Sequence, residues 1–230
     1  TREQIEEAGS IDLIDALQSI PSINITQSGP KGQQASMFMR GTGSNHVLVM
    51  INGVAINDQS TTQGLHDFGV DFIQTIQQVE VYEGPGAANF GPNAIGGAVN
   101  IITTGDLKDN VKFSSRDTEN YDFFINKNYI ADNSDLYNLK LGIIENKTTS
   151  ARFPGSEKDG VKNYSGNLNF EKWINNFQIT NSTYLRETEA EYDNSATKEE
   201  NYVGNNQMLT TQFNLNYMTE NSKNEFTLYH

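Results

Sequence analysis

The sequence predicts a chain of two parts, a glycine-rich α/β domain followed by an antiparallel array of long β-strands. Residues 1–103 hold 13 of the 19 glycines but only 5 of the 23 aromatic residues, so the composition breaks near residue 105. From Asn110 onward apolar and polar residues alternate strictly, the period of a strand with two different faces. Between these regions lies Val79–Thr103 (VEVYEGPGAANFGPNAIGGAVNIIT), where five glycines and two prolines separate two strand-like runs. Such a segment implies tight turns and close backbone approaches, with other elements packed around it.

Composition narrows the function. With 29 acidic against 16 basic residues the net charge is −13, and no Lys/Arg cluster is present, so nucleic acid is excluded as a partner. There is no cysteine. No apolar run approaches the roughly 18 residues of a transmembrane helix. The mean hydropathy of −0.58 is compatible with a transmembrane β-barrel, whose strands average polar and apolar faces. The chain opens at Thr1 without the basic and apolar regions of a signal peptide, so the compartment is argued from architecture.

The elements follow in order. Ser10 is expected to cap a helix presenting Leu13, Ile14 and Leu17 on one face, with Asp12 in its first turn and Pro21 beyond its end. Ile23–Thr26 and Ser36–Arg40 read as strands around an exposed loop, Gln27–Ala35. Val47–Ile51 is a buried strand, and Asn52-Gly53 turns the chain into Val54–Ile56. A polar loop, Asn57–Asp67, precedes a short helix expected at Asp71–Ile76, which feeds strands at Val79–Tyr82 and Ala98–Thr103.

In the second part, Tyr164, Gly166, Leu168 and Phe170 share one strand face, as do Leu209, Thr211, Phe213, Leu215 and Tyr217. Leu139, Leu141 and Ile143 repeat the pattern, and Tyr121–Tyr129, Phe177–Leu185 and the run from Phe226 are further strands. Short turns (Trp173–Asn176, Glu220–Lys223) alternate with long polar loops (Lys147–Val161, Glu187–Asn206), the asymmetry of outer-membrane barrels. Tyr129, Trp173, Tyr184 and Tyr217, near strand ends, suit the aromatic girdles of such a barrel. A soluble β-sandwich alternates in the same way and is the competing architecture.

Two motifs make the chain recognisable. VEVYEGPGAANFGPNAIGGAVNIIT resembles the signature near the end of the plug domain of TonB-dependent outer-membrane receptors, and MFMRGTGSNHVLVMINGVAIND resembles that family's earlier plug motif. The resemblance implies an α+β plug domain at 1–106 and, at 107–230, the first six or seven antiparallel transmembrane strands of a 22-stranded plugged barrel. It implies a transporter, not an enzyme, in the Gram-negative outer membrane, with outer-membrane lipid around it. Such a receptor binds a scarce nutrient outside and is opened by the TonB complex through an N-terminal box, which is not visible in this stretch. Within the family the plug motifs are most similar to those of the cobalamin receptor, so cobalamin is the expected cargo; an iron chelate such as a ferric siderophore is the alternative. A secreted β-rich binding module is a further reading.

The resemblance also implies sites. Plug loops facing outward place Gln33, Gln34, Ser36, Gln59, Ser60, Thr61, Thr62 and Gln63 at the substrate. Family plugs carry arginines around the Gly-Pro of the late motif that pair with barrel glutamates; here Glu83 and Gly86 stand there, leaving Arg40 as the plug–barrel contact. No cofactor is expected, although the acidic loop containing Glu189, Glu191 and Asp193 suggests calcium. His46, His66 and His230 lack metal-ligand spacing and are read as structural or surface residues. No nucleophile has a partnered base, and GPNAIGG lacks the Gly-Lys-Ser/Thr ending of a phosphate loop.

Overall fold

The computed structural model describes residues 1–10, 12–58, 60, 63–105, 108–117, 119–147, 158–192, 202–219 and 222–230. Two helices open the N-terminal domain, α1 (Arg2–Glu7) and α2 (Leu13–Leu17). Asp12, not Ser10, caps α2: its carboxylate accepts from Asp15 N at 2.8 Å, while Ser10 N closes the end of α1 on Ile5 O. A hairpin follows, β1 (Ile23–Gln27) on β2 (Ala35–Met39).

The domain is built on a four-stranded sheet. Val47–Ile51 (β3) is flanked by β4 (Val54–Ala55) and by β6 (Gly97–Ile102), which runs parallel to it; β5 (Gln78–Glu83) pairs antiparallel with β6. Asn52 (φ 49°) and Gly53 (φ 85°) form the tight turn that the Asn-Gly pair predicts. Leu13, Leu17, Met37, Met39, Val49, Phe68 and Val99 fill the core beneath the sheet. The glycine-rich stretch winds through short 3₁₀ turns at Gly84–Phe90 and Pro92–Ala94. Gly91 supplies a left-handed backbone (φ 93°), and a Cβ on Gly97 would lie 2.7 Å from Met39 Sδ, so one glycine serves a turn and the other a close approach.

The helix expected at Asp71–Ile76 does not form. A 3₁₀ turn at Phe68–Val70, capped by Asp67, precedes an irregular segment. Its carbonyls are engaged elsewhere: Arg2 Nη1 donates to Ile73, Gln74 and Ile76 O, and Leu13 N donates to Asp71 O at 3.0 Å.

Seven strands make up the second part: β7 (Asn110–Asp117), β8 (Asn120–Ile130), β9 (Leu136–Lys147), β10 (Gly160–Ile174), β11 (Phe177–Tyr192), β12 (Tyr202–Thr219) and β13 (Ser222–Tyr229). They form one antiparallel meander in sequence order. Much of the loop expected at Glu187–Asn206 is strand, with a ladder running unbroken to the stacked pair Tyr192 and Tyr202. A transmembrane strand needs only about 9–11 residues. The 18 residues of β12 therefore extend well past the apolar band, where both faces become polar and periodicity in hydropathy disappears.

The polarity of this sheet decides between sandwich and barrel. Leu141, Leu168, Leu185 and Leu209 are 44–60% exposed on the outward face, whereas Lys140, Asn163, Asn167, Arg186 and Thr188 are buried on the inward face, against the N-terminal domain. A sandwich packs its apolar face inward. The reverse order suits a wall with lipid outside and a polar lumen within. Tyr129, Tyr137, Phe177 and Tyr217 cluster outward near the short turns, in contacts such as Phe177–Tyr217 at 4.8 Å. Two expected girdle residues face the other way. Tyr184 lies seven positions from Phe177, on the opposite strand face, and is buried in the N-terminal core. Trp173 shares the inward face with Glu171, to which its indole N–H donates at 2.9 Å.

Replacing Leu168 with Arg puts a cation in the middle of the lipid-facing band, and unfolding in lipid vesicles should show a loss of about 2–4 kcal/mol. An unchanged or higher stability would mark this face as water-exposed.

Candidate functional site

The seam between domain and wall carries many hydrogen bonds, several of them from wall side chains to the domain's backbone, and apolar contacts at Tyr184 and between Phe72, Ile144 and Val161. Val70 O accepts from Asn163 Nδ2 (3.4 Å) and Thr188 Oγ1 (3.2 Å). The buried Lys140 ammonium donates to Thr103 O (2.8 Å), and Asn167 Nδ2 reaches Thr103 Oγ1 (2.9 Å). At the β3–β4 turn, Asn52 Nδ2 donates to both Thr103 Oγ1 and Ser182 Oγ. On the outer side Gly32 lies where a Cβ would sit 2.7 Å from Val161 Cβ, so domain and wall touch without an intervening side chain.

At the centre of the seam lies an ionic cluster. Arg186, on the inward face of β11, donates through Nη1 to Asp71 Oδ1 and through Nη2 to Asn206 Oδ1 at 2.8 Å. The other Asp71 oxygen meets His66 Nε2 at 2.5 Å. All three side chains are at least nine-tenths buried. Burial pushes the Asp71 carboxyl upward, but His66 and the Arg186 guanidinium outweigh it and hold the group below its ordinary 3.8. The cluster is a fixed ion pair with imidazole support, and nothing in it resembles a nucleophile with its base.

His66 and Arg186 also line a cavity of about 530 Å³ between the domain's outer loops and the wall, together with Gln34, Asp58, Ser60, Asp67, Asn206 and Met208. Of the residues expected at the substrate, Gln34 and Ser60 meet here. Gln33 instead donates to the wall at Glu191 O, Ser36 pairs with Thr26 within the hairpin, and Gln63 is exposed away from the cavity. Gln59, Thr61 and Thr62 lie outside the described residues.

Arg40 does not reach the described wall. It ends β2 with a left-handed backbone (φ 52°), and its exposed side chain lies over Gly84. Glu83, which stands where arginine was expected, accepts a hydrogen bond from Ser22 Oγ. The ionic contact between the two parts therefore has its cation on the wall and its anion on the domain. Asp71 and Arg186 escaped the sequence reading, which took His66 as a structural or surface residue; the one available signal was an arginine in phase with the polar face of an alternating strand. Glu189 and Glu191 stand on the outward face of β11, where Glu189 pairs in register with Lys162, and Asp193 lies outside the described residues. Among the described residues no group of three or more His, Asp or Glu is placed to hold a metal.

Residues 1–98 match the family model described as the TonB-dependent Receptor Plug Domain. Solved structures share the fold over nearly the whole chain. The siderophore receptor PirA from Acinetobacter baumannii matches with a TM-score of 0.69 at 20% identity, covering 100% of this chain and 38% of its own. The ferric yersiniabactin uptake receptor FyuA from Yersinia pestis gives 0.74 at 19%, covering 95% and 37%. FpvA of Pseudomonas aeruginosa, in an iron complex with a pyoverdine, gives 0.74 at 14%, covering 100% and 33%. The chain thus spans between a third and two fifths of the length of these proteins.

Changing Asp71 to Asn leaves Arg186 buried beside a neutral amide and should cost about 3–5 kcal/mol in thermal or denaturant unfolding. Because the Asp71 carboxyl is held below 3.8 when folded, its contribution is complete above that value and lost as pH falls through the lowered one. The difference between wild type and variant should shrink as pH falls below about 4. A difference that vanishes by pH 6 would contradict the assignment.

Proposed function

We propose, from the match of residues 1–98 to the TonB-dependent Receptor Plug Domain model, that the chain is the plug and first wall strands of a receptor that takes up a scarce nutrient across the Gram-negative outer membrane. The observation that carries this reading is the outer cavity, roofed by plug loops and walled by β11 and β12, with the plug–wall ion pair at its floor. Cargo held there sits beside the contact that must break if the plug is to move. Energy from the TonB complex, applied to the N-terminal side of the plug, supplies the work. Displacing the plug breaks discrete polar contacts and also withdraws Tyr184 from the plug core and Phe72 from Ile144 and Val161.

An iron chelate is the cargo we favour. The solved structures that resemble this chain include receptors described as handling siderophores or their ferric complexes, and the cavity contributes a charge argument of its own. Arg186 is already matched by Asp71, and Asp58 and Asp67 add negative charge to the lining. Such a lining repels a multiply anionic ferric catecholate and accepts a neutral or cationic chelate. Cobalamin is the second reading, favoured by the plug motifs QSGPKGQQASMFMRGTGSNHVLVMINGV.

Titrating the full-length receptor with a neutral ferric hydroxamate, a ferric catecholate and cyanocobalamin separates these readings. The hydroxamate is expected to bind most tightly, with a Kd of about 1 μM or below, corresponding to roughly −8 kcal/mol. Tight cyanocobalamin binding with no chelate bound would establish the second reading, and absence of binding by all three would refute both.

A further inference from the structure

From β8 to β12 the inward face of the wall carries a transverse register layer of five buried residues. Strand pairing joins Asn126 on β8 to Lys140 on β9, Asn167 on β10, Tyr184 on β11 and Thr210 on β12, so the five stand side by side at one height. Their exposures are 1%, 1%, 1%, 3% and 8%. Lys140 and Asn167 are tied to Thr103 of the plug, and Tyr184 enters the plug's hydrophobic core.

A cavity lies on either side of this layer. One residue pair above it, Arg186 and Met208 line the outer cavity; one pair below, Ser182 and Gln212 line an inner one of about 500 Å³. The two differ in chemistry. The outer lining is ionic, whereas the inner lining is dominated by neutral amides and hydroxyls, among them Asn52, Asn138, Asn169, Ser182 and Asn214. The carbonyl oxygens of Asn169 and Asn214 are buried there without a hydrogen-bond partner, so the inner cavity has acceptors to spare.

We propose that Tyr184 and Thr210 form the seal between these cavities, and that the inner cavity is a second subsite, which receives neutral hydrogen-bond donors of the cargo, hydroxyl or amide N–H, once the seal opens. The subsite rests on the transport reading above; the seal does not. A step from ionic vestibule to amide-lined chamber needs a displacement of one register layer. Lys140 and Asn167 keep the plug registered through Thr103 while the β11–β12 side opens.

These 230 residues hold no cysteine, so with any cysteine elsewhere in the full-length receptor first replaced by serine, single cysteines can be placed here and probed on intact cells with a membrane-impermeant maleimide. Met208→Cys should label rapidly from outside, and Ser182→Cys at least tenfold more slowly. Adding Tyr184→Ala should bring Ser182→Cys up to the Met208→Cys rate, and Thr210→Ala should raise it in a form that disturbs the plug core less. Equal labelling of the two cysteines with Tyr184 intact overturns the seal, as does a Ser182→Cys that stays protected in every folded seal variant. For the subsite, Asn214→Trp should lower uptake of a radiolabelled ferric hydroxamate at least tenfold with Kd unchanged within twofold; unchanged uptake overturns it. A wild-type receptor that neither binds nor imports the hydroxamate refutes the cargo reading instead, and the labelling rates still decide the seal.

Discussion

The arrangement of this protein depends on a guanidinium and a carboxylate that face each other where water does not reach. Neither Arg186 nor Asp71 can be buried alone, since an unpaired charge in the interior is far costlier than an unpaired amide. The local chain around each follows from that requirement. Residues 71–76 forgo a helix and hand their carbonyls to Arg2, and His66 is drawn in to occupy the second Asp71 oxygen. Asp71 O also anchors the first residue of α2, so the cluster sets the entry of that helix. Compared with an apolar replacement, a buried pair adds little net stability. Its role here is registration, because only one part of the plug can meet β11 at this height.

Polar contacts make up much of the seam, beside the apolar contacts of Tyr184 with the plug core and of Phe72 with Ile144 and Val161. An apolar interface of this extent would resist separation through its whole area and expose greasy surface once opened. Amide and hydroxyl side chains on the wall, facing carbonyls on the plug, can exchange each lost bond for one to water. The wall is therefore inverted relative to a soluble sheet, with leucines outside and asparagines inside. The same inversion explains the low mean hydropathy of a chain whose strands lie in a membrane.

Much of this architecture was legible in the residues. Alternation located six of the seven described wall strands, all but β7, because period two survives wherever one face meets lipid, and Asn52-Gly53 named its own turn. The glycines of 84–97 announced close packing, which Gly97 against Met39 exemplifies. Three features were not legible, each for a physical reason. Strand ends beyond the bilayer have polar residues on both faces, so β11 and β12 looked like loop beyond Leu185. The helix expected at Asp71–Ile76 was overridden by tertiary hydrogen bonds that local propensity does not register. At the site, loop position brought Gln34 and Ser60 to the cavity. Tyr184 was misplaced because its role depends on which way a side chain points, and for Asp71 and Arg186 the partners are 115 residues apart.

The central claim is that Asp71 and Arg186 act as one unit holding plug to wall. A double-mutant cycle on the full-length receptor, with Asp71→Asn, Arg186→Gln and both together, measures that coupling in unfolding free energy. The double variant should lose less than the sum of the two single variants by about 2 kcal/mol or more. Costs that add within about 0.5 kcal/mol would mean that the two residues act independently, and the account of how the plug is held would fail.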